Sequence, residues 1–435
     1  GLRGGHPGGG GQLLGRDPRR HHQVIGVNPC CGNRLSRESL GGVDDRVRRH
    51  PRSGDQAGGR DLRGRLLLSA LTDGHVHLDK TVLGMPWRPN SGAPNVAGRV
   101  ENERRLRRSL TPVAARAAAL LHRMIARGTT RLRTPVDIDD EIGLENFHAL
   151  QEVIARYRAQ ADIELVAFPQ SGILRRPGVA ALLDAALAEG ADLIGGLDPA
   201  TYDGDANAHL DIVFTLAQKH GKGIDIHLHD RDPGGNAQLR DIAARTTAAG
   251  MAGRVTVSHA FSLGTPDQAD FAATATALAK AGVAILTSSP SAGPVPPVKP
   301  LLAHGVTLRA GSDNIRDLWS PFGNGCMIER AMLICLRQGF RTDADIGLAY
   351  DLCCDSRRLT EGAPADFIAI AAETRAEAVA ERPARMVFRR GRLIAEDREY
   401  LEREAALLCK KAPQKLCPPC NSGVAETPYT PMDKK

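Results

Sequence analysis

The sequence predicts a (β/α)8 barrel of the TIM type, joined to a small β-sandwich that is expected to be incomplete. Three observations predict it. From Leu66 onward, apolar strand-like runs alternate with helical stretches, and the alternation repeats eight times. Gly128, Gly190, Gly221 and Gly282 each stand at the end of a helical stretch, just before the next apolar run. Imidazoles or carboxylates follow runs one, five, six and eight. A barrel gathers such run ends on a single rim, whereas an open doubly wound sheet spreads them along an edge.

The elements follow in order. Residues 66–71 form an apolar run that leads into Thr72-Asp73-Gly74-His75-Val76-His77-Leu78-Asp79-Lys80. Thr111 and Pro112 read as the cap and first residue of a helix that Gly128 stops. Strands are expected at 129–136, 162–168, 192–195, 224–227, 254–259, 283–286 and 306–310. Helices are expected at 142–158, 179–189, 208–220, from the fifth strand to about 249, and at 268–281 and 325–338, with a short proline-bounded one near Leu301. The domain expectation is a Gly/Arg-rich, poorly ordered segment at 1–61, a barrel at 62–355, return strands of the small β-domain at 356–396 and a tail at 397–435.

Bulk properties narrow the function. A chain of 435 residues suffices for one barrel-sized domain and an appendage. Aromatic residues make up only 4%, so the core must be Ala, Leu, Val and Ile. No run approaches the length of a membrane span, and no basic-then-apolar signal opens the chain, so a soluble cytoplasmic protein is expected. The net charge of +7 misleads, because residues 1–65 hold 13 Arg against 6 acidic residues and the rest is balanced. The body is therefore not a nucleic-acid binder by charge. The basic N-terminal segment lacks the interleaved aromatics that stack bases. Nine scattered cysteines point to reduced thiols, with Cys417 and Cys420 an incidental pair in a polar tail.

The run ends carry the chemistry. His75 and His77 alternate along a strand, so they share a face and can grip one ion, with Zn or Fe suited to neutral imidazole. The third run ends at Gln170, the fifth at His227-Leu228-His229-Asp230, the sixth at Ser258-His259 and the eighth at Ser312-Asp313-Asn314. Taken singly, each has a structural reading: a buried histidine bonded to a carbonyl, or an aspartate capping the next helix. Taken together they predict one divalent ion, Zn2+ or Fe2+, held by three neutral imidazoles and one aspartate of the rim. Such an ion keeps a position for water and draws the pKa of that water towards neutrality. Asp313 then takes the proton, Asp230 carries protons to the substrate and leaving group, and His259 holds the hydroxide or polarises the target carbon. Gln170 offers a donor and an acceptor from one amide, which suits a heterocycle with N–H beside C=O.

At these residues the chain resembles the amidohydrolase superfamily, in its cytosine-deaminase-like branch, over about 62–396. Residues 73–80 resemble the branch's first metal motif, and Ala167-Phe168-Pro169-Gln170 its substrate-amide motif. His227, His259 and Asp313 fall on the third His ligand, the catalytic His and the metal-bound Asp. Residues 317–323 resemble the stretch that follows, which implies Asn314 and Trp319 as substrate contacts beside Gln170. The resemblance implies hydrolytic deamination of a cytosine-like amino-heterocycle, with metal-bound hydroxide attacking the ring carbon and ammonia released. The alternatives are a cyclic-amide or N-alkylamino-triazine amidohydrolase with the same metal centre, and a degenerate barrel without catalysis. The absence of a bridging Lys after the fourth strand favours one metal. The implied partner is a small heterocycle, with no membrane and no nucleic acid for the body, and a homo-oligomer is compatible with the sequence.

The chain also departs from the branch. Asp230 stands where the branch has Glu, about 1.5 Å longer by one C–C bond. Asn314 replaces a second Asp, and Pro135 replaces a His while removing a ladder donor. Residues 351–362 read as shortened, and 1–61 do not resemble the family's opening strands, so the small β-domain is expected to have exposed edges.

Overall fold

The structure is a computed structural model that describes residues 24–25, 60–62 and 64–401, except 91, 94, 232–233, 265–266, 356–358 and 398. The expected disorder of the N-terminal segment and the Cys417/Cys420 pair therefore fall outside the described residues.

Two short strands, β1 (Val24–Ile25) and β2 (Arg60–Asp61), pair antiparallel. β3 (Leu66–Ser69) leads into the barrel. Eight parallel strands then follow in chain order, each bonded to the next: β4 (Leu71–Asp73), β5 (Thr129–Asp137), β6 (Asp162–Phe168), β7 (Leu193–Leu197), β8 (Gly223–Leu228), β9 (Val255–His259), β10 (Ala284–Thr287) and β11 (Leu308–Ala310). Helices α1 (Val96–Arg107) and α2 (Val113–Ala126) follow β4, and α3 (Glu145–Tyr157) follows β5. Then come α4 (Val179–Ala188), α5 (Ala206–His220), α6 (Gly234–Ala248), α7 (Gln268–Ala281) and α8 (Val298–Ala303), one after each strand from β6 to β10. α9 (Met327–Gln338) and α10 (Asp343–Leu352) follow β11.

Local chemistry explains the ends. Asp205 and Asp267 cap α5 and α7 with their carboxylates, and Gly221 and Gly282 end them in the left-handed conformation. The expected Thr111 cap of α2 is displaced by one residue: Pro112 takes the cap position, without a side-chain bond. Leu120, Leu121, Met124 and Ile125 put a buried stripe of α2 into the core. Each such side chain contributes about 1.5–3 kcal/mol on burial. α1, α10 and the later α11 (Arg375–Glu381) have no counterpart in the sequence reading. α1 carries no apolar stripe, since only Val100 and Glu103 are buried in it.

Pro135 lies inside β5, paired with Val166 of β6. Residues 133 and 137 of the same parity turn their polar groups towards the chain that leaves β4: Arg133 O accepts from Val76 N, and Asp137 N donates to an Asp79 carboxylate oxygen. On that side the ladder has already given way, and Leu78 N bonds the Thr134 hydroxyl instead. The missing proline donor therefore costs no ladder bond.

The barrel closes without a regular ladder between β11 and β4. Gly74 N donates to Ala310 O at 2.9 Å, Asp313 N to His75 O at 2.7 Å and His77 N to Asp313 O at 3.3 Å. Asp73 Oδ1 fastens both sides, accepting from His75 N at 3.2 Å and Ser312 N at 2.9 Å. Gly311 permits the close approach: a Cβ there would lie 2.7 Å from both His75 Cβ and His75 N.

The return strands β12 (Phe367–Ile370), β13 (Arg385–Arg389), β14 (Arg392–Glu396) and β15 (Glu399–Tyr400) join β3 in one five-stranded antiparallel sheet. Leu62, Leu67, Phe367, Ala369, Met386 and Phe388 form its own small core. Among the described residues the expected sandwich is thus a single layer with the β1–β2 ribbon.

Gly311→Ala is expected to force the seam apart and to destabilise the fold by about 1–3 kcal/mol, the usual range for overpacking. Thermal unfolding with metal analysis of the same sample checks it, and an unchanged melting temperature would contradict the close-packed seam.

Candidate active site

Four side chains from three elements of the rim converge. His75 and His77 leave the end of β4, His227 lies near the end of β8, and Asp313 follows β11. His77 Nε2 lies 3.4 Å from His227 Nε2 and 3.5 Å from Asp313 Oδ1, and His75 Nε2 lies 3.8 Å from the same oxygen. About 3.3 Å separates ligand atoms around a tetrahedral ion with bonds of about 2.0–2.1 Å. The spacing is therefore that of a slightly expanded coordination sphere, within about half an ångström. His75 Nε2 is buried with no hydrogen-bond partner, as are both ring nitrogens of His259. Burial holds His77, His227 and His259 well below the ordinary imidazole value, and His75 below it, so all four are neutral near pH 7 and carry free lone pairs. These donors fit a divalent ion.

The backbone is bent to reach this arrangement. His259 and Asp313 both sit at positive φ, 74° and 60°, a conformation that non-glycine residues rarely hold. Gly195 leaves room for Phe168, because a Cβ there would lie 2.9 Å from its ring. Phe168 then stacks on His227 at 4.0 Å between ring centres and fixes the imidazole plane.

A cavity of about 370 Å³ opens above the cluster. Its lining mixes polar residues, among them Lys80, Arg99, Gln170, Arg231, Asp313 and Asn314, with apolar ones, Val96, Leu197, Phe261, Pro290 and Trp319. Gln170 presents only half of what the sequence suggests. Lys80 Nζ donates to Gln170 Oε1 at 2.8 Å, which leaves Gln170 Nε2 buried and unpartnered. Asn314 Nδ2 donates to Asp317 at 2.7 Å, and Trp319 Nε1 donates to Glu103 at 2.6 Å.

Asp230, expected to carry protons at the site, is placed elsewhere. The structure does not bring it to the cavity: its carboxylate accepts from the Thr201 hydroxyl and from Gln238 Nε2. The neighbour His229 lines the cavity instead. Its ring stacks on His259 at 4.4 Å, and its Nδ1 lies 2.9 Å from Asp198 Oδ2. Burial works against a charge on His229, but Asp198 outweighs it and raises the imidazole above its ordinary value.

Sequence reading also missed Lys80 as a site residue. The turn at 78–80 swings it back under the cavity, where Glu103 and Asp137 each lie 3.1 Å from its ammonium. Burial opposes the charge, yet those carboxylates push the Lys80 value upward. Asp137, and Asp79 beside the same ammonium, are raised in turn, chiefly by burial.

Comparison with known proteins agrees with this geometry. A model of the amidohydrolase family matches residues 107–395. The chain belongs to the amidohydrolase family. This amidohydrolase is similar to the N-isopropylammelide isopropylaminohydrolase of Burkholderia multivorans, at 40% identity over 85% of this chain and 94% of that one, with a TM-score of 0.78. The N-isopropylammelide isopropyl amidohydrolase of Pseudomonas sp. is 29% identical over 78% of this chain and 88% of its own length. The uncharacterised YahJ of Escherichia coli is 35% identical over 63% of this chain, and the match spans 60% of YahJ. The 5-methylcytosine deaminase of Klebsiella pneumoniae, at 23% identity and a TM-score of 0.73, shares the fold. Among the described residues no helix is long and apolar enough to cross a membrane.

Two outcomes are expected of this amidohydrolase. His77→Ala should abolish metal retention through dialysis, measured by elemental analysis. The imidazole cluster should cost the metal-free protein stability as pH falls below 6.5, because the unfolded chain takes up protons that the depressed His75, His77, His227 and His259 refuse. His229 acts oppositely, since its raised value adds stability present below 6.5 and lost as pH rises. Asp73 and Asp317, which burial raises to about 6 and about 7, also add stability as pH falls, so the imidazole share is read by comparison: lowering the pH from roughly 7.5 to roughly 5.5 should destabilise metal-free His227→Ala less than the metal-free parent. An equal pH response in the two proteins would contradict the neutral cluster.

Proposed function

We propose that the protein hydrolyses the exocyclic carbon–nitrogen bond of an amino-substituted, oxo-bearing nitrogen heterocycle, releasing an amine, with an N-alkylamino ring preferred over a simple ring amine. The observation that carries the reading is the mixed lining of the cavity. Gln170 Nε2, buried without a hydrogen-bond partner among the described residues, offers a donor to a ring oxygen or nitrogen, while the Lys80 ammonium, whose three N–H groups meet Gln170, Glu103 and Asp137, holds that amide in place. Val96, Leu197, Phe261 and Pro290 add apolar surface that an N-alkyl group covers and a bare amino group leaves wet. The similarity to two N-isopropylammelide hydrolases supports this choice between the readings.

His75, His77, His227 and Asp313 would hold one divalent ion, which supplies a water with a near-neutral pKa. Asp313 Oδ2 lies 4.0 Å from His259 Nδ1, so a proton released at the carboxylate has an acceptor within one small displacement. Among the described residues His259 carries no competing hydrogen bond and can pass that proton to the leaving nitrogen. His229, anchored by Asp198, stacks on His259 and keeps its plane fixed while it does so. Gln170 Nε2 orients the ring, and Lys80 fixes the Gln170 amide by bonding its oxygen. Trp319, held by Glu103, lines the same cavity.

Amine release from a panel of N-alkylamino- and amino-substituted triazines and pyrimidines, in zinc-loaded and metal-stripped samples, tests the reading. The expected result is turnover that depends on metal and is higher for the N-alkyl members. Absence of turnover across the panel in a folded, zinc-loaded sample would sink it. His259→Ala should lower kcat about 10²–10⁴-fold, the span of general acid–base assistance, while metal content stays at the parent level. Loss of metal in that variant would move His259 from proton transfer to ligation.

A further inference from the structure

The inner layer of a barrel is normally packed with branched apolar side chains. Beneath His75 this barrel instead carries an ionic layer, buried at Arg133 and Asp225 and partly exposed at Glu164. Arg133 on β5 lies between Glu164 on β6 and Asp225 on β8, with Nε to Glu164 at 3.0 Å and NH1 to Asp225 Oδ2 at 2.8 Å. Thr256 on β9 touches the same guanidinium nitrogen at 3.2 Å. Asp225 is completely buried. Buried ion pairs of this kind stabilise little, because desolvation consumes much of their attraction. A contact beyond the pair gives the layer a use: Asp225 Oδ1 lies 2.7 Å from the Ser258 hydroxyl, and that hydroxyl lies 3.0 Å from His75 Nδ1.

The proton count along this chain has one solution. A carboxylate paired with a guanidinium only accepts, so the single Ser258 proton points at Asp225. The hydroxyl oxygen is then an acceptor towards His75. The 3.0 Å contact requires the proton on His75 Nδ1 and leaves the lone pair on Nε2, the atom that is buried without a partner at the candidate metal cluster. His77 and His227 have no such support: their Nδ1 atoms are buried without a hydrogen-bond partner among the described residues. We propose that Arg133, Asp225 and Ser258 form a positioning relay that locks the tautomer and ring direction of His75, making it the pre-set anchor on which the ion is first captured. The inference rests on the metal-centre reading above for its consequence, but its own content is the proton position on His75.

The experiment uses the full chain with isotopically labelled histidine, in metal-free and zinc-loaded forms. Imidazole nitrogen shifts of the metal-free protein should show His75 as the Nδ1–H tautomer. Zinc affinity, from chelator competition, should fall about 10- to 100-fold in Ser258→Ala, the range found when a ligand histidine loses its supporting bond. Ser258→Thr, which restores a hydroxyl, should recover it. Thr256→Val removes a hydroxyl that meets Arg133 but not His75, and should leave zinc affinity unchanged. An Nε2–H tautomer, or equal losses in Ser258→Ala and Thr256→Val, would overturn the relay. A parent protein that takes up no zinc would overturn the metal reading instead, and the tautomer would then decide the relay alone.

Discussion

The seam where the last barrel strand meets the first is the constraint on which the site depends. A parallel barrel needs one pairing between strands distant in sequence, and here that pairing is made by the residues that carry the chemistry. Asp313 donates its backbone N–H to His75 O, and its own carbonyl accepts from His77 N. The backbone bonds that close the cylinder therefore also set the relative positions of two imidazoles and a carboxylate. Asp73 ties both edges with one oxygen and is itself pushed by burial to about 6. Closure and ligand geometry are one set of contacts, so the site cannot loosen without opening the barrel.

Polar groups inside the barrel are expensive, and their distribution shows two different solutions. The imidazoles are left neutral, with burial depressing their values and lone pairs directed at a common point. The charged groups are instead matched with one another: Lys80 with Glu103 and Asp137, and Arg133 with Asp225 and Glu164. The Lys80 cluster couples the substrate wall to α1 through Glu103, which also accepts from Trp319. Ion pairs from Arg104 and Arg107 to Asp139 tie the same helix to the end of β5. A helix held this way covers the cavity without the apolar face that would fix it permanently to the core.

The barrel was legible because its signals are periodic. Apolar runs, helix caps and terminal glycines repeat, and residues two apart on a strand share a face, so His75 and His77 could be paired on paper. His227 and Asp313 could be added because the ends of parallel strands must share a rim. What was not legible lies where the chain leaves regular structure. Lys80 reaches the cavity only because residues 78–80 turn, and a turn has no period to read. α1 has no apolar stripe, so its partner surface, made of charges far apart in sequence, left no trace. Asp230 and His229 are neighbours after one strand, and alternation could not say which of them would face inwards once the strand had ended.

That last pair shows how work is divided within a loop. Thr201 and Gln238 bind the Asp230 carboxylate, and both of its oxygens are used there. The Asp230 side chain thus serves to fasten the loop after β8 to the loop after β7 and to α6. The inward position falls to His229, one residue past the end of β8. Asp198, at the end of β7 and itself at positive φ, receives both the His229 backbone N–H and its ring nitrogen. The imidazole is held by one hydrogen bond at Nδ1 and by its stack on His259, while the bond from the His229 backbone N–H to the same carboxylate fixes the chain beside it. The ring is ordered in this way before any ligand arrives, so the mouth of this barrel presents an imidazole plane that the surrounding backbone has already fixed.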